Sequence, residues 1–204
     1  MGKKKGTLFV VSGSSGSGKG TVIGELLNIS DKFCYSVSAT TREPREGEVD
    51  GVNYFFVSRE RFEALIESGE MLEYAEYCDN LYGTPKSFVY SQLEKGISVL
   101  LEIEVKGAMQ IKEKMPEATL IFVTPPSFAA LRKRLYDRGT ESTEVIEKRL
   151  KIALEEINHV KDYDYIIVNN DNEAIKAAED IILISEGKYN KYTDARQIIK
   201  DFIN

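Results

Sequence analysis

Four short runs of consecutive apolar residues recur along the chain, separated by longer segments of mixed character. The runs occupy residues 8–11, 99–101, 120–123 and 165–168. A strand covered on both faces reads as a continuous apolar run, whereas a half-exposed strand alternates between apolar and polar residues. The pattern therefore predicts buried strands of a parallel sheet.

The segments between these runs carry helical signals. Ser127 is placed to cap one helix, and Thr84 with Pro85 is placed to begin another that continues to Lys95. A further helix is predicted to end at Pro116. Apolar stripes at three- and four-residue spacing predict two more, through Ile146, Leu150, Ala153, Leu154 and Ile157 and through Ile175, Ala178 and Ile182. Helices that alternate with strands favour a three-layer α/β core.

Two segments interrupt this alternation. Residues 38–86 contain short strand-like pieces, NYFFV and MLEYAEY, among many turn residues. Residues 126–159 include an arginine-rich stretch with Gly139 near its centre. We interpret the first segment as an inserted mixed α/β lobe and the second as an inserted helical segment. The core is then expected to comprise residues 1–37, 87–125 and 160–204.

Charge and cysteine content exclude some classes of function. The 204 residues carry a formal net charge of −6, which argues against nucleic-acid binding driven by charge alone. The apolar runs are too short to cross a bilayer. The first run ends at SGSSGSG without a small-residue cleavage site, so we expect a strand there and not a signal peptide. Cys34 and Cys78 suit a reducing cytoplasm, and neither a disulfide nor a metal site with His159 is expected.

A glycine-rich segment, GSSGSGKGT at residues 13–21, directly follows the first apolar run. It matches the phosphate-loop pattern G-x-x-x-x-G-K-[ST] at Gly13, Gly18 and Lys19, but Gly20 stands where the pattern has a hydroxyl residue and Thr21 follows. Such a loop points backbone N–H groups at phosphates, and the lysine adds a positive charge. A flexible turn is the alternative. The strand before it and the helix after it favour a nucleoside triphosphate site, which we call the P-loop.

A second polar stretch, TTREPREGEVDGVNYFF at residues 40–56, holds two arginines three positions apart. Arg42 and Arg45 can grip a phosphate with planar forks that lysine lacks, and Pro44 restricts the backbone between them. Tyr54 can donate its hydroxyl to the same phosphate. An exposed charged loop with a structural tyrosine is the alternative. Beside a P-loop, the stretch predicts a site for a monophosphate that accepts the transferred group.

Acidic residues are candidates for base recognition and for metal binding. An ionised Glu73 can accept from N1–H and N2–H₂ of guanine, whereas adenine presents a lone pair at N1. Glu102 and Glu104 follow an apolar run and lie two positions apart, which predicts that both point to one face of a strand. An acid at the end of such a strand can orient magnesium and its waters. Solvated acids are the alternative at each position.

These motifs together resemble the guanylate kinase family of P-loop nucleoside monophosphate kinases. The resemblance runs from about residue 6 to 184 and rests on GSSGSGKGT, SVSATTREPREGEVDGVNYFFV, EYAEYCDNLYGTP, LLEIEVKGA and RGTESTEVIEKRL. It implies a P-loop kinase core with a parallel five-stranded sheet between helices, a GMP-binding lobe at 38–86 and a lid at 126–159. The implied activity, within purine nucleotide metabolism, transfers the γ-phosphoryl group of ATP to GMP to give ADP and GDP.

The resemblance also implies roles for individual residues. The residues implied for GMP are Ser38, Arg42, Arg45, Tyr54 and Tyr82 at the phosphate and Glu73, Thr84 and Glu104 at guanine. The residues implied for ATP are Gly13, Ser14, Ser15, Gly16, Ser17, Gly18, Lys19, Gly20, Thr21 and Asn169. The implied catalytic residues are Lys19, Arg42, Arg134, Arg138 and Arg149, and Glu102 is implied to act on Mg²⁺ through water. The family often has aspartate at positions 102 and 104, which leaves the reach of the two glutamates open.

The arginines of the implied lid share a helix face. Arg134 and Arg138 are four residues apart, and Arg149 lies on the next predicted helix. Cations over the γ-phosphate would stabilise the charge that spreads over its oxygens, and a closing lid would exclude water. The alternative is a solvated helical hairpin with salt bridges to Glu141, Glu144 and Glu147.

Two rival functions stay open from the sequence. One is an inactive guanylate-kinase-like module that binds protein partners, against which Lys19 and the paired Arg42 and Arg45 argue. The other is a kinase for a different nucleoside monophosphate, although carboxylates at the predicted base site disfavour AMP. We expect ATP, GMP and its deoxy form as ligands, Mg²⁺ as cofactor, a cytoplasmic location, and neither membrane nor nucleic acid as partner. The sequence leaves oligomeric state, the GMP to dGMP preference and any monovalent-ion requirement open.

Overall fold

The computed structural model describes residues 5–139, 141–190 and 194–203. Residues 1–4, 191–193 and 204 of the predicted core and residue 140 of the predicted lid lie outside the described residues. The chain forms two compact units. The first contains the chain up to Val10 and residues 32–119, and the second contains residues 11–31 and the chain from Leu120 onward. The division into core, lobe and lid stays a prediction.

The strands and helices follow the chain in this order. The strands are β1 (Leu8–Ser12), β2 (Phe33–Tyr35), β3 (Ala39–Thr40), β4 (Phe55–Phe56), β5 (Met71–Tyr77), β6 (Asn80–Pro85), β7 (Ser98–Glu102), β8 (Thr119–Thr124) and β9 (Tyr165–Val168). The α-helices are α1 (Lys19–Ile29), α2 (Arg59–Glu67), α3 (Lys86–Glu94), α4 (Val105–Lys114), α5 (Phe128–Arg138), α6 (Thr143–Glu156), α7 (Ala174–Ser185) and α8 (Ala195–Ile203). A 3₁₀ helix, Ile157–Asp162, follows α6.

The larger sheet has five strands in the order β2-β7-β1-β8-β9. Cys34 of β2 lies opposite Val99 of β7, and Phe122 of β8 lies opposite Ile166 of β9, in parallel pairs. The prediction of an α/β protein with a parallel five-stranded sheet is therefore confirmed. The four apolar runs became β1, β7, β8 and β9, whereas β2 is three residues long and too mixed in character to stand out.

The smaller sheet lies within the segment predicted as an inserted lobe. Its strands run in the order β4-β3-β6-β5, with β3 parallel to β4 and antiparallel to β6. Helix α2 covers this sheet with Phe62, which is fully buried against Ala39, Met71 and Leu81. Ser58 caps α2 by accepting the N–H of Arg61 at 3.2 Å. Ordering this small core fixes β5 and β6, which carry several predicted site residues.

The hairpin between β5 and β6 turns through Cys78 and Asp79, both in the left-handed region, with φ of 49° and 66°. Tyr77 pairs with Asn80, so Cys78 and Asp79 form the whole loop. Two left-handed residues match the right-handed twist of the flanking strands. The pairing places Glu73 of β5 opposite Thr84 of β6.

Two local predictions need correction. Thr84 does not cap α3. It lies in β6, and Pro85 is the N-cap of α3, with φ −63° and ψ 125°. Glu104 does not share a strand with Glu102, because β7 stops at Glu102 and Glu104 is the N-cap of α4. By contrast, Ser127 caps α5 as predicted by accepting the N–H of Ala130 at 3.1 Å.

Helix α4 is fixed to β5 by two side chains. The amide of Gln110 donates to the carbonyl of Tyr74 at 2.5 Å, and Lys114 donates to the carbonyl of Leu72 at 2.8 Å. In the second unit, α1 packs on α7, with Val22 and Leu26 of the former and Ala178 and Ile181 of the latter buried. Among the described residues, every helix is too short or too polar to cross a membrane.

Candidate active site

The P-loop curls tightly between β1 and α1. Gly13 and Gly18 adopt φ of 138° and 90°, a region that side chains disfavour. A side chain at Gly18 would also meet the amide nitrogen of Asn169 at 2.3 Å. The N–H of Ser17 donates to the carbonyl of Ser14 at 3.0 Å, which closes the turn. The curled backbone followed by the start of α1 has the geometry expected of an anion site at a helix N-terminus.

Lys19, the first residue of α1, folds back over the P-loop. Its Nζ donates to the carbonyl oxygens of Gly13 at 2.5 Å and Ser14 at 3.1 Å. Glu156, the last residue of α6, is 9 % exposed and lies close to this amine. Burial raises the pKa of Glu156, whereas the charge of Lys19 and a hydrogen bond with Ser14 lower it. Glu156 therefore belongs to the charge environment of the P-loop lysine.

Arg134 of α5 reaches the P-loop from the predicted lid. Its Nη1 donates to the carbonyl of Ser17 at 3.3 Å, and its Nη2 donates to the carbonyl of Asn169 at 2.8 Å and to Asp171 at 2.7 Å. The amide of Asn169 also donates to the Ser17 carbonyl, at 2.9 Å. Arg134, predicted as catalytic, and Asn169, predicted for ATP, thus meet at the carbonyl of Ser17.

Arg149 of α6 makes a second contact between the predicted lid and the P-loop. Its Nη1 donates to the hydroxyl of Ser15 at 2.7 Å, and its Nη2 pairs with Glu141 at 2.6 Å. Arg138 is exposed in the last turn of α5. Among the described residues, Arg134 and Arg149 are the lid arginines with hydrogen bonds to the P-loop, and Arg138 is not brought to it.

In the first unit, Arg42 is held in one orientation. Its Nη2 donates to both carboxylate oxygens of Glu48 at 2.9 Å, and its Nη1 donates to the carbonyl of Glu43 at 2.7 Å. Glu48 also accepts the backbone N–H of Arg45 at 2.7 Å. Its pKa is lowered because these hydrogen bonds and the charges of Arg42 and Arg45 outweigh the opposing effect of its burial. One carboxylate thus connects both arginines of the predicted phosphate site.

Two tyrosines complete this cluster. The Arg42 guanidinium carbon lies 5.5 Å from the centre of the Tyr54 ring, and the Tyr54 and Tyr82 rings are 5.9 Å apart, edge to face. Tyr82 is also hydrogen-bonded to Arg42. Burial, followed by the charge of Glu102, raises the pKa of Tyr54 to about 12. Tyr54 therefore keeps its proton at neutral pH and can donate it to a phosphate. Ser38, also predicted here, is buried directly before β3.

Glu73 lies buried between β6 and α4. It is 2 % exposed, and the hydroxyl of Thr84 donates to its Oε1 at 2.6 Å. Burial raises the pKa of Glu73 to about 7, although Thr84 and the charge of Lys114 act in the opposite direction. The pair predicted to read guanine is thus assembled in the structure, and its carboxylate changes charge near neutral pH.

Glu102 ends β7 beside the hydroxyl of Tyr35. The hydroxyl of Tyr35 is hydrogen-bonded to Glu102, and the pKa of Tyr35 is raised by burial and then by the charge of that carboxylate. Glu104 is placed at the start of α4. Among the described residues, no group of three or more His, Cys, Asp or Glu side chains is placed to hold a metal ion. This donor set suits an ion that is held mainly by phosphates and water.

Comparison with known proteins decides the family. The family model described as guanylate kinase matches residues 5–184 of the chain. The chain belongs to the guanylate kinase family. It is 57 % identical over 190 residues to the guanylate kinase of Clostridioides difficile, with 93 % of each chain covered. It is 54 % identical over 173 residues to that of Halalkalibacterium halodurans, with 85 % of each covered.

A solved structure supports the same assignment. The guanylate kinase from Anaplasma phagocytophilum superposes with a TM-score of 0.76 and 36 % sequence identity, covering 94 % of this chain and 90 % of that one. As a member of the guanylate kinase family, the protein is a P-loop nucleoside monophosphate kinase that transfers a phosphoryl group from ATP to GMP.

Two residues at these sites of the guanylate kinase fold escaped the sequence analysis. Glu48 binds Arg42 and the backbone of Arg45, and Glu156 lies beside Lys19. Glu48 had a local signal, because an acid three residues after Arg45 can turn back on it. Glu156 had none, since its role depends on the end of α6 lying near Lys19. The salt bridge between Arg149 and Glu141 belongs to the solvated-hairpin alternative, and it forms alongside the contact of Arg149 with Ser15.

Proposed function

We propose that the guanylate kinase reaction in this protein uses the second unit for ATP and the first unit for GMP. The observation that carries the proposal is the convergence of Arg134 and Arg149 on the backbone and side chains of the P-loop. Cations from α5 and α6 then face the site where the triphosphate binds. Lys19 and these arginines stabilise the negative charge that spreads over the transferring group. We assign the P-loop residues 13–21 and Asn169 to ATP, with Arg138 joining them when the lid closes.

The GMP phosphate is assigned to the cluster around Arg42. Glu48 holds the guanidinium of Arg42 and accepts the backbone N–H of Arg45, whose own guanidinium supplies a second planar fork. Tyr54 and Tyr82 add hydroxyl donors. Preorganised donors lose little freedom when the phosphate arrives, so they favour a defined approach of the acceptor oxygen. Ser38 is assigned to the same phosphate.

Guanine is assigned to Glu73, Thr84 and Glu104. An ionised Glu73 accepts from N1–H and N2–H₂, and the Thr84 hydroxyl holds its Oε1. Adenine would present a lone pair to that carboxylate, which leaves a buried group unpaired and rejects the wrong base strongly. All assigned contacts are to base and phosphate, so we propose that dGMP is accepted as well as GMP.

Phosphoryl transfer itself needs little covalent participation by the protein. The phosphate oxygen of GMP attacks the γ-phosphorus in line, and we assign no covalent enzyme intermediate. Closure of the lid over the P-loop excludes water, which would otherwise hydrolyse ATP. Catalysis is therefore mostly positioning and electrostatic stabilisation by Lys19, Arg42, Arg134, Arg138 and Arg149.

Mg²⁺ is proposed as the companion of ATP. Glu102, oriented by its hydrogen bond with Tyr35, is assigned to the water shell of the ion. When bound, Mg²⁺ supplies positive charge that neutralises the phosphate oxygens. We also propose a cytoplasmic location, which the two free thiols of Cys34 and Cys78 suit.

Replacing Lys19 tests the proposed chemistry. Lys19→Met should lower kcat by roughly 10³-fold or more, because cationic groups at this transfer contribute on that order. The matched control is Lys176→Met on α7, whose amine pairs with Glu173 at the surface. Steady-state assays with ATP and GMP, alongside thermal unfolding, give the readout. Near-normal turnover in a folded Lys19→Met protein would remove Lys19 from the mechanism.

A further inference from the structure

One helical glycine of the first unit lies directly against the Glu73 carboxylate. A methyl group added to Gly107 of α4 would lie 2.3 Å from Oε2 of Glu73 and 3.1 Å from its carboxyl carbon. The other oxygen, Oε1, is held at 2.6 Å by Thr84. The carboxylate is thus enclosed, with a hydroxyl on one side and the bare α-carbon of a glycine on the other.

The backbone at Gly107 does not require glycine. Its φ is not among the positive values, and a glycine inside a helix is less favourable than alanine by roughly 0.5–1 kcal/mol. Gly24 of α1 shows the contrast, because a methyl group there would meet nothing within 4 Å. What Gly107 provides is therefore space for the Glu73 carboxylate.

Helix α4 is held against movement away from Glu73. Gln110 bonds to the backbone of Tyr74 and Lys114 to that of Leu72, the two residues that flank Glu73. Positions 107, 110 and 114 share one face of the helix at spacings of three and four. An added methyl group would therefore displace the carboxylate more easily than the helix, by about 0.7 Å to reach the 3.0 Å limit of real contacts.

We propose that Gly107 is a specificity-determining position, whose missing side chain sets where the Glu73 carboxylate meets the two N–H donors of guanine. This inference rests on the proposal that Glu73 and Thr84 read the base. Gly107 acts through Glu73 and is a positioning residue. Its effect falls on purines with a 2-amino group, since both carboxylate oxygens must be in place to accept from N1–H and N2–H₂.

The test compares Gly107→Ala with the matched control Gly24→Ala. For Gly107→Ala we expect the KM for GMP to rise about tenfold or more, since a misplacement near 1 Å can cost about 10²-fold. The ratio of kcat/KM for GMP over IMP, which lacks the 2-amino group, should fall by a similar factor. The KM for ATP should stay unchanged, and Gly24→Ala should leave all three constants as in the wild type.

A shorter acid distinguishes contact with Glu73 from general damage to the fold. Glu73→Asp withdraws the carboxylate by one methylene, so adding Gly107→Ala to it should change the KM for GMP and the melting temperature little further. The proposal is overturned if Gly107→Ala changes the KM for GMP and the melting temperature by the same amounts in the wild type and in Glu73→Asp.

Glu73→Gln separates this inference from the assignment on which it rests. If Glu73→Gln leaves the GMP to IMP ratio unchanged, Glu73 does not read guanine and both ideas are wrong. If Glu73→Gln lowers the ratio and Gly107→Ala does not, only the role of Gly107 is wrong. A fall in both variants, with the loss at Gly107 suppressed by Glu73→Asp, supports the proposal.

Discussion

The buried carboxylate of Glu73 links GMP binding to pH. Its pKa of about 7 in the free protein means that much of it is protonated below neutrality, whereas the N–H donors of guanine require the ionised form. As the pH rises toward 7, we expect the KM for GMP to fall by about tenfold per pH unit. Above pH 7 the KM should level off. The KM for ATP serves as the reference. The same profile in Glu73→Gln would assign the dependence to the GMP phosphate instead.

The same residue should lower the stability of the free protein at alkaline pH. Its folded pKa of about 7 exceeds the ordinary value of 4.5, so the folded state binds the proton more tightly, and stability is lost as pH rises through this window. We expect Glu73→Gln to raise the free energy of unfolding by roughly 1–3 kcal/mol at pH 8 and by little at pH 5. Denaturant titrations at both pH values provide the measurement. Equal effects at the two pH values would contradict the assigned pKa.

The β5–β6 hairpin is the element that brings Glu73 and Thr84 together. Its two-residue turn holds Cys78 and Asp79 at positive φ, a conformation that glycine adopts without steric penalty. We expect Asp79→Gly to raise the free energy of unfolding by about 0.5–1 kcal/mol, with the KM for GMP unchanged. Chemical denaturation measures this. Gly47 and Gly187 show that the chain has glycine at other positions with positive φ. Destabilisation by Asp79→Gly would mean that the aspartate side chain stabilises the turn.

At the scale of the whole molecule, the residues proposed for the GMP phosphate and base belong to the first unit, and the residues proposed for ATP belong to the second. Arg45→Lys keeps the charge but loses the planar fork, so we expect a rise of about tenfold in the KM for GMP and little change for ATP. Arg134→Ala removes the contacts with Ser17 and Asn169, so we expect the KM for ATP to rise by about tenfold and the KM for GMP to change little. Arg61→Lys and Arg196→Ala, at exposed positions of each unit, are the controls. If either variant raised both constants equally, the separation of the sites would be wrong.

The amino-acid sequence alone was sufficient for features that depend on neighbours in the chain. Apolar runs predicted β1, β7, β8 and β9, and the glycines with Lys19 predicted the P-loop between a strand and a helix. Burial on both faces leaves a continuous apolar run, and a curled anion site leaves its glycines at fixed spacing. The resemblance to the guanylate kinase family followed from five motifs, because each motif is a contiguous stretch that can be identified in the sequence alone.

Tertiary structure alone decided which side chains meet. The contacts of Arg134 with Ser17 and of Arg149 with Ser15 join residues more than a hundred positions apart, which no local pattern encodes. The end of β7 before Glu104 likewise corrected an inference from alternation. The raised pKa of Glu73 and the space at Gly107 depend on α4 lying against β5, residues more than thirty positions apart. Burial, charge and close contact are properties of the packed chain, so they appear only when distant segments have come together.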